Sequence, residues 1–81
     1  MRKMQVTVKF FGPQKLETKL DKYDIQCDEN MRVLDVIDFL KMRFTNLSFG
    51  ELIIVNGVKD DIQAKLNHMD ELMFLPSIGG G

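Results

Sequence analysis

The chain has one cysteine, no tryptophan, two prolines and no surplus of either charge. The single thiol, Cys27, cannot form an internal disulfide. With one histidine as well, His68, the sequence lacks a metal-ligand cluster, and no bound metal is expected. Eleven Lys and Arg stand against twelve Asp and Glu, a net charge of −1. That balance gives no electrostatic footprint for nucleic acid, and aromatic residues are not interleaved with basic ones as on a strand-binding platform. No apolar run approaches the length of a membrane span. The opening "MRKMQVTVKFFG" alternates polar and apolar residues, unlike a secretory signal, so no membrane partner and a cytoplasmic location are expected. No glycine-rich phosphate loop precedes a helix.

What is present fits one small domain. Eighty-one residues bury roughly 60% of the surface their unfolded chain exposes, so the core is modest. In the first strand Met4, Val6, Val8 and Phe10 share one face, with Gln5, Thr7, Lys9 and Phe11 on the other. Gly12-Pro13 ends it. A second strand is expected within residues 16–27, best marked by the alternation of Tyr23, Ile25 and Cys27. Residues 31–43 read as a helix, because Val33, Val36, Ile37, Leu40 and Phe44 fall on one stripe. Asn30 is its expected N-cap. Leu52 to Val55 is a continuous apolar run, the pattern of a buried strand. Asn56-Gly57 predicts a tight turn, because both residues tolerate positive φ. Residues 58–66 hold a short strand or a loop. Glu71 to Leu75 is the last strand, stopped by Pro76.

This order predicts a two-layer α+β domain, a mixed β-sheet with one main helix packed on one face. It suits the ubiquitin-like β-grasp, with a ferredoxin-like split βαβ as the rival pattern. Both faces of the last strand are apolar, Leu72 and Phe74 on one and Met73 and Leu75 on the other. One helix covers one face. The other, with Phe11 beside it, is expected to dock a partner, flanked by Pro76 and Ile78. Most of the six methionines and six phenylalanines are expected in the core. His68 reads as a surface turn residue, Cys27 as a buried or half-buried strand-end thiol, and the pairs Asp60-Asp61 and Asp70-Glu71 as solvated turns.

The stretches "VTVKFFG", "RVLDVIDFLK" and "LNHMDELMFLPSIGGG" together resemble the MoaD family, the small sulfur-carrying subunit of molybdopterin synthase and a relative of the thiamine sulfur carrier ThiS. Leu66, Asp70-Glu71, Phe74, Leu75, Pro76 and Ile78 fall on that family's pattern, and Gly80-Gly81 fall on its terminal pair. Arg32 stands where the family usually has Thr, and Ser77 where it has a second Pro. The resemblance implies a β-grasp domain over residues 1–78 and a flexible glycine tail over 79–81. It implies that Gly81 is the working residue. An ATP-using, ubiquitin-activating-type adenylyltransferase (MoeB-like) would adenylate its carboxylate, which sulfur then converts to a thiocarboxylate. The large synthase subunit (MoaE-like) would receive it. The chain itself would bind no cofactor and catalyse nothing alone. Gly79 and Gly80, without Cβ atoms, suit passage through a narrow channel. The alternatives are sulfur supply for thiamine, cysteine or tRNA, a ubiquitin-like protein modifier, and a β-grasp binding module with an inert tail.

Overall fold

The computed structural model describes residues 3–45 and 47–75. Seven elements follow one another: β1 (Lys3–Lys9), α1 (Pro13–Thr18), β2 (Lys22–Asp28), α2 (Val33–Arg43), β3 (Leu52–Val55), β4 (Val58–Asp60) and β5 (Glu71–Leu75). The strands form one sheet in the order β2-β1-β5-β3-β4. β1 and β2 are antiparallel along their whole length, β1 and β5 are parallel at the centre, and β3 is antiparallel to both β4 and β5. This is the β-grasp order, and it excludes the split βαβ.

The core lies between α2 and one sheet face. β1 contributes Met4, Val6, Val8 and Phe10, β5 contributes Leu72 and Phe74, and α2 contributes Val33, Val36, Ile37 and Leu40. Each such fully buried aliphatic side chain stabilises the fold by about 1.5–3 kcal/mol. Phe10, Phe44 and Tyr23 close the core at one end through edge-to-face contacts, with ring centroids 6.0 and 5.4 Å apart.

Several elements differ from the sequence expectation. α1 is an unexpected helix that runs from the expected break at Pro13 into the first residues offered to the second strand. It escapes detection by periodicity because its buried residue is Gln14, while Leu16 is 80% exposed. α2 is capped at Arg32 rather than Asn30. The segment before it is held extended, since the Leu66 N–H donates to the Met31 carbonyl and Arg32 bridges to Lys65. The first helical N–H groups are then satisfied from outside: Val33 donates to Ala64 O (3.0 Å) and Leu34 to Ile62 O (2.9 Å). The Asp35 carboxylate accepts the Arg32 N–H at 2.9 Å. Arg32, the departure from the family pattern, sends Nη1 to the Gln63 carbonyl at 2.7 Å, which ties helix to loop.

β3 is half-buried throughout rather than buried, because its neighbour β4 is a three-residue, fully exposed edge. The turn between them is as expected, with Asn56 at φ 52° and Gly57 at φ 81°. The methionines do not follow the core expectation. Of those described only Met4 is buried, while Met42 and Met69 are well exposed.

Leu72→Ala leaves a cavity at the centre of the sheet and is expected to cost about 3 kcal/mol. Leu16→Ala, on the outside of α1, is expected to change stability by less than about 0.5 kcal/mol. Urea denaturation of both variants checks the assignment of inside and outside.

Candidate functional site

The expected chemistry falls on the segment that follows β5 in the sequence. Pro76, Ile78, Gly79, Gly80 and Gly81 lie outside the described residues; the strand that precedes them does not. Its geometry begins with the β1–β5 ladder. The register pairs Thr7 with Glu71, Val8 with Leu72 and Lys9 with Met73. Thr7 N–H donates to Asp70 O at 2.9 Å. Two residues on, Lys9 stands opposite the Leu72 carbonyl, and two further Phe11 N–H would meet Phe74 O.

That last rung is replaced. The side-chain amide of Gln14, from α1, occupies it. Gln14 Oε1 accepts the Phe11 N–H at 3.1 Å, and Nε2 donates to Phe74 O at 2.9 Å. The second Nε2 hydrogen goes to Ser48 O at 2.8 Å. One buried amide therefore joins the end of β1, the end of β5 and the loop after α2. Glu17, one helical turn on, fixes the same loop by accepting Ser48 N–H (2.8 Å) and Ser48 Oγ–H (2.9 Å). The Phe49 ring packs edge-on against Phe74, centroids 5.3 Å apart. Gln14 was absent from the sequence expectation. The signal that marks it is the helix start Gly12-Pro13: Gly12 at φ 51° turns the chain and Pro13 opens the helix.

The start of β5 is tied as firmly. Asp70 was expected in a solvated turn but is buried, 7% exposed. Its carboxylate accepts Asn56 Nδ2–H at 2.8 Å and Asn67 N–H at 2.7 Å. Asn56 in turn accepts the Glu71 N–H at 2.9 Å. Glu71 itself is exposed and pairs with Lys9 at 3.2 Å. At the far end of β1, His68 Nδ1 accepts the Gln5 N–H at 3.0 Å, a rung of side chain on backbone. A cleft of about 470 Å3 opens there between His68, Lys3, Glu29 and Lys65, at the end of β1 remote from the tail. Among the described residues no three His, Cys, Asp or Glu converge as a metal site.

The uncovered sheet face carries the expected docking residues. Met73 lies between Lys9 and Ile54, and Leu75 lies beside Leu52, all four of the apolar ones half-buried. Phe11 is 51% exposed. Phe11 and Met73 line one groove of about 390 Å3, whose rim carries Lys9, Lys15, Lys22 and Asp21. Leu75 is on the same face, two residues nearer the tail. An apolar floor with a basic rim thus sits at the end of the sheet from which the tail departs.

Cys27 lies away from this end, paired with Met4 at the start of β1. Burial raises its thiol pKa above the ordinary 9.0, and the neighbouring Asp28 charge raises it further. The neutral thiol is therefore favoured by folding. Its contribution to stability is complete below pH 9.0 and is lost as pH rises through the higher folded value.

No protein-family model and no curated protein matches the chain. Solved structures do. A Pyrococcus furiosus protein described as molybdopterin converting factor, subunit 1, superposes with a TM-score of 0.81 at 27% identity, over 93% of this chain and 99% of its own. Small archaeal modifier protein 1 from Haloferax volcanii also gives 0.81, at 19% identity, over 93% of this chain and 99% of its own. A chain of the complex of subunits 1 and 2 of molybdopterin-converting factor from Helicobacter pylori gives 0.65 at 24% identity, over 96% of this chain and 100% of its own.

Two outcomes check this description. Gln14→Leu leaves the Phe11 N–H, Phe74 O and Ser48 O without their partner and is expected to cost at least about 2 kcal/mol in urea denaturation, with loss of exchange protection at the Phe11 amide. Alkylation of Cys27 by iodoacetamide at pH 8 is expected to be much slower in the folded protein than in urea, because the thiolate is scarce and covered. Geometry and comparison together place this chain among ubiquitin-like β-grasp proteins, with molybdopterin converting factor small subunits and archaeal modifier proteins as its structural neighbours.

Proposed function

We propose that this chain is a sulfur carrier whose working atoms are the terminal carboxylate of Gly81, and that it serves as the small subunit of a molybdopterin synthase. The observation that carries the reading is the position of Gly80-Gly81, five and six residues beyond the end of β5, on a β-grasp domain that pins that strand end from both sides. A carboxylate resists nucleophilic attack. Transfer of AMP from ATP, within a MoeB-like activating enzyme, converts it to an acyl-adenylate with release of pyrophosphate. A sulfide-equivalent nucleophile then adds to the Gly81 carbonyl and expels AMP, leaving a thiocarboxylate. The domain's part is mechanical. The fixed strand end aims the tail, and Phe11, Met73 and Leu75 seat it against a MoaE-like large subunit, with Pro76 and Ile78 leading into that partner's active site. Gly79 and Gly80 let the chain thread a channel that a Cβ would obstruct. The basic rim of Lys9 and Lys15 suits a partner surface with carboxylates around an apolar centre. The 27% identity with the P. furiosus converting factor subunit supports the molybdopterin assignment.

A second reading keeps the activation and changes the acceptor to a protein lysine. The equally high TM-score of the archaeal modifier favours it. In that case the adenylate is attacked by an amine and an isopeptide forms.

The deciding experiment is the intact mass of the protein from its native cells, followed by fragmentation. Replacement of one oxygen by sulfur at Gly81, reproduced in vitro with ATP and the host's activating enzyme, is the expected result. Deletion of Gly81 is expected to abolish loading with the urea midpoint unchanged. A deletion variant still loaded with sulfur, or a full chain that never forms adenylate, would exclude the carrier chemistry. Recovery of the chain in isopeptide linkage would favour the modifier.

A further inference from the structure

Among the described residues β2 is an edge strand whose outer hydrogen-bonding side meets no other strand. The bond from Phe10 N–H to Asp21 O, continued through the β1–β2 register, commits the backbone groups of Tyr23, Ile25 and Cys27 to β1. The N–H and C=O groups of Lys22, Asp24 and Gln26 and the N–H of Asp28 therefore point away from the sheet, while the Asp28 carbonyl accepts the Met31 N–H at 3.2 Å. All seven residues are regular strand, with no bulge or proline. The opposite edge, β4, has only three residues and is a poorer template.

We propose that the β2 edges of two copies pair antiparallel about a two-fold axis at Ile25, making one continuous sheet across both. The occupant is argued from charge and parity. An antiparallel pairing must set outward-pointing residues opposite one another. Centring on Ile25 does so for the whole strand: Lys22 faces the partner's Asp28, Asp24 faces the partner's Gln26, and each contact recurs by symmetry. A shift of two residues in one direction sets Asp24 against the partner's Asp24, and in the other against the partner's Asp28. Like charges directly opposite oppose pairing, so only the centred register joins the full strand without conflict.

The single chain also leaves Lys22 in need of such a partner. It stands directly across from Lys9, and Lys9 is already taken by Glu71. Among the described residues no carboxylate lies within ion-pair distance of Lys22. On the core side of the joint, Ile25 meets its symmetry copy and Tyr23 comes opposite the partner's Cys27. Tyr23 is already backed by the stacked ring of Phe39, 6.4 Å away and 40% exposed beside this edge. β5 runs parallel to β1 and antiparallel to β2, so the C-terminal ends of the two β5 strands leave at opposite ends of the joined sheet. Association at this edge does not bring the two β5 ends together.

The test uses the full chain in sedimentation equilibrium from micromolar to millimolar concentration, with charge variants at exposed positions. A concentration-dependent dimer is expected. Lys22→Asp and Asp28→Lys alone should each weaken it by about tenfold, since two symmetric pairs turn repulsive. The double variant, Lys22→Asp with Asp28→Lys, should restore it. Amide exchange at Lys22, Asp24, Gln26 and Asp28 should slow as concentration rises. A monomer throughout, a dimer in which those four amides stay unprotected, or a double variant no better than the single ones would each overturn the proposal.

Discussion

The parallel pairing of β1 with β5 is the constraint on which the other elements depend. The β1–β2 and β3–β4 pairings join strands close in sequence. Only β5, reached at the end of the described chain, stitches the two halves into one sheet. Its parallel seam with β1 is three residue pairs long, between strands more than sixty residues apart. Closing a loop of that length costs entropy before any contact repays it. The repayment comes from burial, because the same seam sets Val6, Val8, Leu72 and Phe74 side by side beneath α2 with almost no exposure. So short a ladder has ends close to its middle. Both ends are finished by side chains, His68 at one and Gln14 at the other, so that β1 backbone groups are satisfied beyond the last regular rung.

The sheet divides cleanly by face and by end. α2 covers one face, and its stripe of Val33, Val36, Ile37 and Leu40 accounts for the apolar alternation of β1 and β5 on that side. Among the described residues no helix lies over Met73, Leu75, Leu52 and Ile54 on the other face, and these side chains lie half in solvent. Gln14 and Asp70 fix β5 at its two ends, yet neither lies on the open face. The hydrogen bonds that hold β5 and the half-buried apolar surface of the open face are thus supplied by different side chains. A partner can bind the apolar groove without disturbing the hydrogen bonds that hold the strand.

Much of this was legible in the residues. Alternation at Met4, Val6, Val8 and Phe10, the helical stripe of α2, the Asn56-Gly57 turn and the bounds of β5 all follow from period and turn chemistry, which depend on local sequence alone. The failures share a cause. Gln14, Asp70 and the Arg32 cap are polar residues whose partners are distant in the chain: Phe74, Asn56 and Gln63. A hydrophobicity pattern ranks such residues as surface, because nothing local announces that their hydrogen bonds will be met. The same blindness hid α1, whose inward residue is an amide and whose leucine faces water.

The choice of an amide at position 14 has a physical reason that bears on the tail. Under the proposed carrier function β5 must stop pairing with β1 where the tail begins, since a segment still bonded to a strand on both sides cannot reach another protein. Ending a central strand abruptly would leave Phe74 O and Phe11 N–H facing each other across a widening gap, buried and unpaired. An apolar side chain there would fill space and satisfy neither. A charged one would satisfy one and repel the other. A carboxamide carries a donor and an acceptor on one rigid plane, so it spans the gap and relays the bond from strand to strand. On the other flank β3 pairs with β5 through Leu75. Pro76, which has no N–H to donate, comes next. The Leu52–Leu75 pair and the first residue unable to donate to a ladder are therefore adjacent in the sequence.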